Sequence, residues 1–204
     1  MANQDAPFGF RAVGGMGSSY ETQGTSKYQI NDNYTSAIYQ GDVVMTGDGG
    51  SDGPTNTSVA GYIAPSAVGD NNNVGIFNGC FYNDPTTQKP TWKNYYPGAI
   101  NITQGYIDAF VYDNPQQLFE AQTAGTLTQS DAGNLIDMAT YVAGSTVNGS
   151  SNEELHTASI SNTATFRIIR LSGDPSNSDT SSANSNWIVR FNESIYYDRA
   201  VKTA

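Results

Sequence analysis

Tyr106-Ile107-Asp108-Ala109-Phe110-Val111-Tyr112 is followed at once by Asp113-Asn114-Pro115. β-branched and aromatic side chains fill the run, and a central strand cannot continue through the proline, so the segment reads as a strand ending in a turn. The same pattern returns twice further on. Thr165-Phe166-Arg167-Ile168-Ile169-Arg170-Leu171 stops at Gly173-Asp174-Pro175, and Trp187-Ile188-Val189-Arg190-Phe191 forms a third run. Weaker strands are expected at residues 37–39, 43–45, 59–63, 75–82 and 118–122. Helical periodicity is scarce. One turn is expected around Asp131 to Met138, capped by Ser130 and weakened by Gly133. The pattern predicts an all-β fold: an antiparallel barrel or sandwich with Greek-key rather than βαβ connections.

Two kinds of segment stand apart from these runs. Residues 1–25 hold Gly9, Gly14, Gly15, Gly17 and Gly24 among a few large apolar side chains. So little patterned apolar surface cannot fold on itself, and the segment is expected to be an extended N-terminal arm that orders on a partner. Phe8, Phe10 and Arg11 are its candidate anchors. Residues 26–204 then form a single β-rich body, large enough to bury roughly 70% of its extended-chain surface without staples. Long exposed loops are expected at 47–58 and 172–186, where Gly, Ser, Asn, Asp and Thr dominate. No fixed-period repeat is present, which disfavours solenoids and propellers.

Composition narrows the function. The formal net charge is −10, from 19 acids against 9 Lys and Arg, the wrong sign for a nucleic-acid partner. Only 14% of residues are charged, so neutral polar side chains must make up most of the surface, as suits a protein that lives against other protein. Cys80 is the single cysteine, which excludes an internal disulfide and a thiolate zinc site. No apolar run approaches the ~20 residues of a membrane span, and the opening MANQDAPFGF lacks a leader's basic and apolar regions. A soluble chain made in a cytoplasm is expected, with no cofactor.

Candidate chemistry is thin. His156 is the only histidine and sits in the polar stretch Asn152-Glu153-Glu154-Leu155-His156-Thr157, so proton-relay catalysis lacks its usual carrier. Cys80 lies among apolar and aromatic neighbours and reads as a small buried hydrophobe. Asp108, Asp113, Glu120, Glu193 and Asp198 lie on or beside strands that also carry Arg167, Arg170, Arg190 and Arg199, which predicts structural ion pairing across strands. A carboxylate-dependent hydrolase is the weakest alternative. The Gly- and Asp-rich stretch 47–53 lacks the closing glutamate of a calcium loop. Tyr34, Tyr39, Trp92, Tyr95, Tyr96 and Trp187 could line a sugar-binding face, densest at Trp92-Lys93-Asn94-Tyr95-Tyr96-Pro97-Gly98. The same residue types anchor protein interfaces, and that reading leads.

The opening Met1-Ala2-Asn3-Gln4-Asp5-Ala6-Pro7-Phe8-Gly9-Phe10-Arg11 resembles the start of a family of small proteins encoded beside major capsid genes in tailed phages, many from marine and cyanobacterial hosts. Val74–Tyr82, Asn94–Gly98, Val111–Gln122, Phe166–Leu171 and Trp187–Phe191 are similar to further blocks of that family, whereas Ser18–Lys27 departs from its pattern. The resemblance implies a capsid decoration, or cement, protein with a β-barrel or β-tulip-like body. It implies attachment to the major capsid protein on the outer surface of the virion, and a homotrimer more than a homodimer. Nucleic acid and membrane are not among the implied partners. Carried over residue by residue, Pro7, Phe8, Phe10 and Arg11 are the capsid-binding positions of the arm, and Asp113, Pro115 and Phe119 determine the fold. A glycan-binding module or fibre component, working through the group near Trp92, is the alternative from a different class.

Overall fold

A computed structural model describes residues 3–16, 24–32, 34–47, 61–70, 72–102, 105–139, 141–161 (backbone alone over 158–161) and 164–196. Among them are β1 (Arg11–Gly15), β2 (Ser26–Ile30), β3 (Val43–Thr46), β4 (Ile63–Pro65), β5 (Asn73–Asn83) and β6 (Pro90–Lys93). The order continues with β7 (Ile107–Tyr112), β8 (Gln117–Gln122), β9 (Leu135–Met138), β10 (Leu155–Ser161), β11 (Phe166–Leu171) and β12 (Asn186–Phe191). They build two antiparallel sheets packed as a sandwich-like, all-β body. Sheet A runs β1-β8-β12-β11-β9-β10; sheet B runs β2-β7-β5-β3-β4, with β6 added alongside β5.

The stretch that opened the sequence reading forms β7 and the crossover out of it. Ile107, Ala109 and Val111 are buried on one face, while Asp108, Phe110 and Tyr112 take the other. Pro115 sits in the turn that follows, closed by the Gln117 amide donating to Asn114 O at 2.9 Å. The chain leaves sheet B at this turn and enters sheet A as β8. The expected stop is therefore the joint between the two sheets.

β5 is buried along most of its length because it serves two cores. The ladder skips a residue between Val44 and Met45 of β3, and again between Phe77 and Gly79 of β5. Each bulge reverses which face the next side chain takes. Val74, Phe77, Cys80 and Tyr82 accordingly join one apolar cluster, and Ile76 the other. The first cluster fills the inside of sheet B, which curls until its edges meet: the Gln29 amide donates to Gly61 O at 2.7 Å beside a parallel bridge to Tyr62. The second lies between the sheets, where Val43 and Ile76 meet Phe119, Phe166, Trp187 and Phe191.

Several expectations need correction. Residues 3–16 are not a free arm. Asn3 Nδ2 donates to the carbonyls of Asp179 and Ala183, the Gln4 amide to Asn177 Oδ1, and the Ala6 amide to Gln122 Oε1. β1 then pairs with β8 as an edge strand of sheet A. Phe10 is buried and stacks on Phe166 with ring centroids 4.4 Å apart. The glycines suggested flexibility, but the polar groups of the segment are matched by the body, and one large aromatic supplies the apolar anchor. Residues 17–23 of the expected arm lie outside the described residues, as do 48–58 of the first expected loop. The second loop is less exposed than expected, because the N-terminal segment covers it: only Gly173, Pro175, Ser176 and Ser181 are exposed between 172 and 186. The expected helical turn is a short 3-10 turn at Gln129–Asp131, where Asp131 reaches back to the Thr128 amide at 2.8 Å. Residues 135–138 beyond it are strand, with Leu135, Ile136 and Met138 buried.

Truncation before residue 16 should therefore damage the body as well as remove a terminus. Phe10→Ala should lower the unfolding free energy by about 3–5 kcal/mol. Phe8→Ala, which loses a half-buried ring, should cost about 1 kcal/mol. Urea unfolding of both variants checks the difference.

Candidate functional site

Sheet A covers only part of the face of sheet B that it packs against. β5 and β6 form a hairpin whose turn is tied by Asp84, which accepts the Thr86 and Thr87 amides at 2.9 Å. Those two bonds hold its carboxyl below the usual range, the Thr87 bond first. The register sets Cys80 opposite Lys93 and Phe81 opposite Trp92, so Phe81 and Trp92 share the face away from the sheet B core. Gly79 stands opposite Phe110. A Cβ at Gly79 would come within 2.6 Å of the Trp92 ring, so the indole sits directly over the bare glycine backbone. Trp92 and Phe110 touch at 5.1 Å between centroids. Trp92 remains 51% exposed and Phe81 39%. Beside them Lys27, opposite Phe110 on β2, pairs with Asp108 at 2.9 Å.

This aromatic strip continues into the N-terminal segment. Tyr112 follows Phe110 on the same face of β7, about 7 Å further along. It lines a cavity of about 290 Å³ with Phe8, Phe10, Arg11, Gln40 and Asn78. Gln40 Nε2 donates to Asn78 Oδ1 at 3.0 Å on the cavity wall. The Arg11 guanidinium lies 4.9 Å over the Phe8 ring and pairs with Glu120, which also accepts the Ser172 hydroxyl. Of the four positions proposed from the sequence, Phe8 and Arg11 reach this surface and Pro7 is half-buried on the path to it. Phe10 forms the floor.

The tyrosines behave differently from the sugar-face expectation. Tyr34, Tyr96 and Trp187 are buried, and Tyr39 is buried against Tyr95 at 5.8 Å between rings. Only Trp92 of that group presents a broad open face. Three of the carboxylates are engaged structurally with partners other than those expected: Glu120 takes Arg11, Asp108 takes Lys27, and Asp113 accepts Ser26 and Tyr28 hydroxyls. Arg167 and Arg170 donate instead to the carbonyls of Gly133 and Leu171. Asp198 and residues 48–53 of the possible calcium loop lie outside the described residues. His156 is exposed on β10, opposite Asp137; of its stretch, Asn152 to Glu154 are loop and the strand begins at Leu155. Burial pushes the Cys80 thiol up to about 12. Among the described residues no three His, Cys, Asp or Glu side chains stand together as a metal site.

Sequence reading missed one pair altogether. Asp42 and Glu153 are 0% and 2% exposed and lie side by side under the N-terminal segment. Burial pushes the Asp42 carboxyl up to about 7, against the Ser151 and Tyr39 hydrogen bonds that favour its charged form. Burial first, and then the charge of Asp42, push Glu153 well above the carboxylate range. The two are 111 positions apart, and the sole hint in the sequence is that Asp42 directly precedes the apolar Val43-Val44-Met45.

The two tryptophans thus occupy opposite environments, one open and one at 0% exposure. Iodide should quench the open fraction of the fluorescence, and Trp92→Phe should remove that fraction while leaving the unfolding midpoint nearly unchanged. Quenching that survives Trp92→Phe would contradict the exposed strip.

Comparison with protein-family models, with curated proteins and with solved structures found no match to this chain.

Proposed function

We propose that this chain is a capsid decoration protein, binding the outer surface of a phage head across neighbouring major capsid protein subunits and stabilising the expanded shell. The observation that carries this reading is the uncovered face of sheet B. Trp92, Phe81 and Phe110 form an aromatic patch continuous with Phe8 and Arg11, on a body whose other large aromatics are mostly buried. Exposed aromatics beside an arginine are the usual composition of a binding hot spot. The scarcity of charge elsewhere supports a protein partner over a polyanion. The block resemblance along the chain supports the same class, and the positions assigned to contact are Pro7, Phe8 and Arg11, joined by Trp92 and Phe81. Phe10 acts behind them by fixing the backbone.

Such a protein works without a reaction or a cofactor. Binding two or three subunits at once lowers the free energy of the closed lattice by the binding energy. Copies joined as a trimer gain further through effective concentration. A glycan-binding or fibre role is the second reading, favoured by the flat exposed indole of Trp92, on which a sugar ring can lie.

Mixing the purified chain with expanded, undecorated heads and imaging them tests the first reading. Density at local symmetry axes is the expected result. Phe8→Ala and Trp92→Ala should each weaken attachment about 10-fold or more while the body stays folded. Because the contact is largely apolar, raising salt from low to high should change it only a few-fold. No density on heads, together with saccharide binding lost in Trp92→Ala, would move the assignment to the second reading.

A further inference from the structure

Asp42 and Glu153 sit where four chain segments meet. Each carboxyl commits one oxygen to a backbone donor: Asp42 Oδ2 takes the Tyr39 amide at 2.7 Å and Glu153 Oε2 takes the Val43 amide at 2.9 Å. The remaining oxygens, Asp42 Oδ1 and Glu153 Oε1, are buried and reach no donor. Around them the Phe10 amide donates to Gly41 O at 2.9 Å, the Gln40 amide to Gly149 O at 3.0 Å, and the Ser151 amide to Gln40 O at 2.9 Å. Gly9 lies against Ser151, where a Cβ would come within 2.5 Å of the serine Cβ.

We propose that Asp42 and Glu153 form a one-proton clasp that fastens the Gly9–Phe10 segment to the body, and that losing the shared proton loosens that segment. With both carboxyls ionised, two like charges face each other in a low-dielectric interior and two acceptors lack donors. One proton removes the repulsion and turns one of the vacant oxygens into a donor. The groups that act on the pair are the Tyr39 amide from the 34–42 segment and the Ser151 side chain from the 141–153 segment, while the Tyr34 and Tyr141 hydroxyls from the same two segments feel its charge. From β3 comes the Val43 amide alone, and the N-terminal segment brings Gly9 and Phe10, which do not titrate. No basic group is among those acting on either carboxyl.

The direction of the pH effect follows. Both acids have folded-state pKa values raised above the ordinary 3.8 and 4.5, so the folded chain binds more protons than the unfolded chain above that range. The contribution is complete below about pH 4 and declines as pH rises through the Asp42 value of about 7 and beyond it for Glu153. This clasp is independent of whatever the aromatic face binds.

Amide exchange on the wild-type chain, expressed as protection relative to the intrinsic rate at each pH, tests it. Protection at Phe10, Val43 and Ser151 should fall at least tenfold between pH 5.5 and 8.5, while amides of β12 change little. Glu153→Gln places a permanent donor at the site and should reduce the fall below threefold. Flat protection in the wild type, or an equal fall in Glu153→Gln, overturns the clasp. Should that variant not fold, the carboxyl carbon shifts of labelled wild-type protein decide: titration of both acids at ordinary values overturns it, and one titrating near neutrality supports it.

Discussion

Gly41 is the point on which the rest of the molecule turns. Its amide donates to Phe77 O of β5 at 2.9 Å, while its carbonyl accepts the Phe10 amide at the same distance. Its φ is +99°, and a Cβ there would press to 3.1 Å from Phe8 O and 3.2 Å from Phe10 N. Backbone meets backbone with no side chain between, which only glycine permits at that conformation. The contact joins the N-terminal segment to the central strand of sheet B. Two and three positions on, Val43 and Val44 point into the two different cores. A larger residue at 41 would separate the terminus, the strand and the acid pair together.

From that joint the two sheets acquire different tasks. Sheet B brings its edges together at the bridge between Gln29 and Tyr62, which leaves less unpaired strand edge of the kind that invites aggregation. Sheet A ends at β1, whose outer edge is short and carries Arg11 and the glycines 14 and 15. Because β1 covers the side of the molecule where Phe8 emerges, the uncovered stretch of sheet B begins where the N-terminal segment ends its packing. The aromatic patch is thus a consequence of the sheets having unequal extent along β5 and β7.

The strong strands were legible because β-branched and aromatic runs have a local cause, sharpened for β7 and β11 by the Asn-Pro and Asp-Pro that follow, and β7, β11 and β12 fall within a residue of expectation. β9 and β10 were not legible. β9 has only four residues, and Leu155 is the one large apolar residue in the polar opening of β10; both are strands because sheet A supplies their hydrogen bonds. β1 failed for the opposite reason: its glycines described flexibility in an isolated chain, while its partner Gln117–Glu120 lies a hundred residues away. At the surface, Trp92 was visible as a candidate, but its exposure is set by the register of β6 on β5, and the burial of Tyr96 by its bridge to Ile38 beyond the strand. Phe8 and Arg11 could be named but not joined to Trp92. The burial of Asp42 and Glu153 is wholly tertiary, so no local pattern marks them.

An N-terminal segment that is already fastened changes the energetics of recognition. A free arm must lose roughly 1–2 kcal/mol of backbone entropy per residue when it orders on a partner, which consumes much of what the contact supplies. Here residues 3–15 have met that cost within the fold, since hydrogen bonds to the 177–184 loop, Gln122 and β8 already fix them. The ring of Phe8 and the guanidinium of Arg11 are therefore presented in one arrangement, stacked at 4.9 Å, alongside a rigid strip set by strand register. Preorganisation of this kind favours docking by a fixed surface over wrapping by a flexible one.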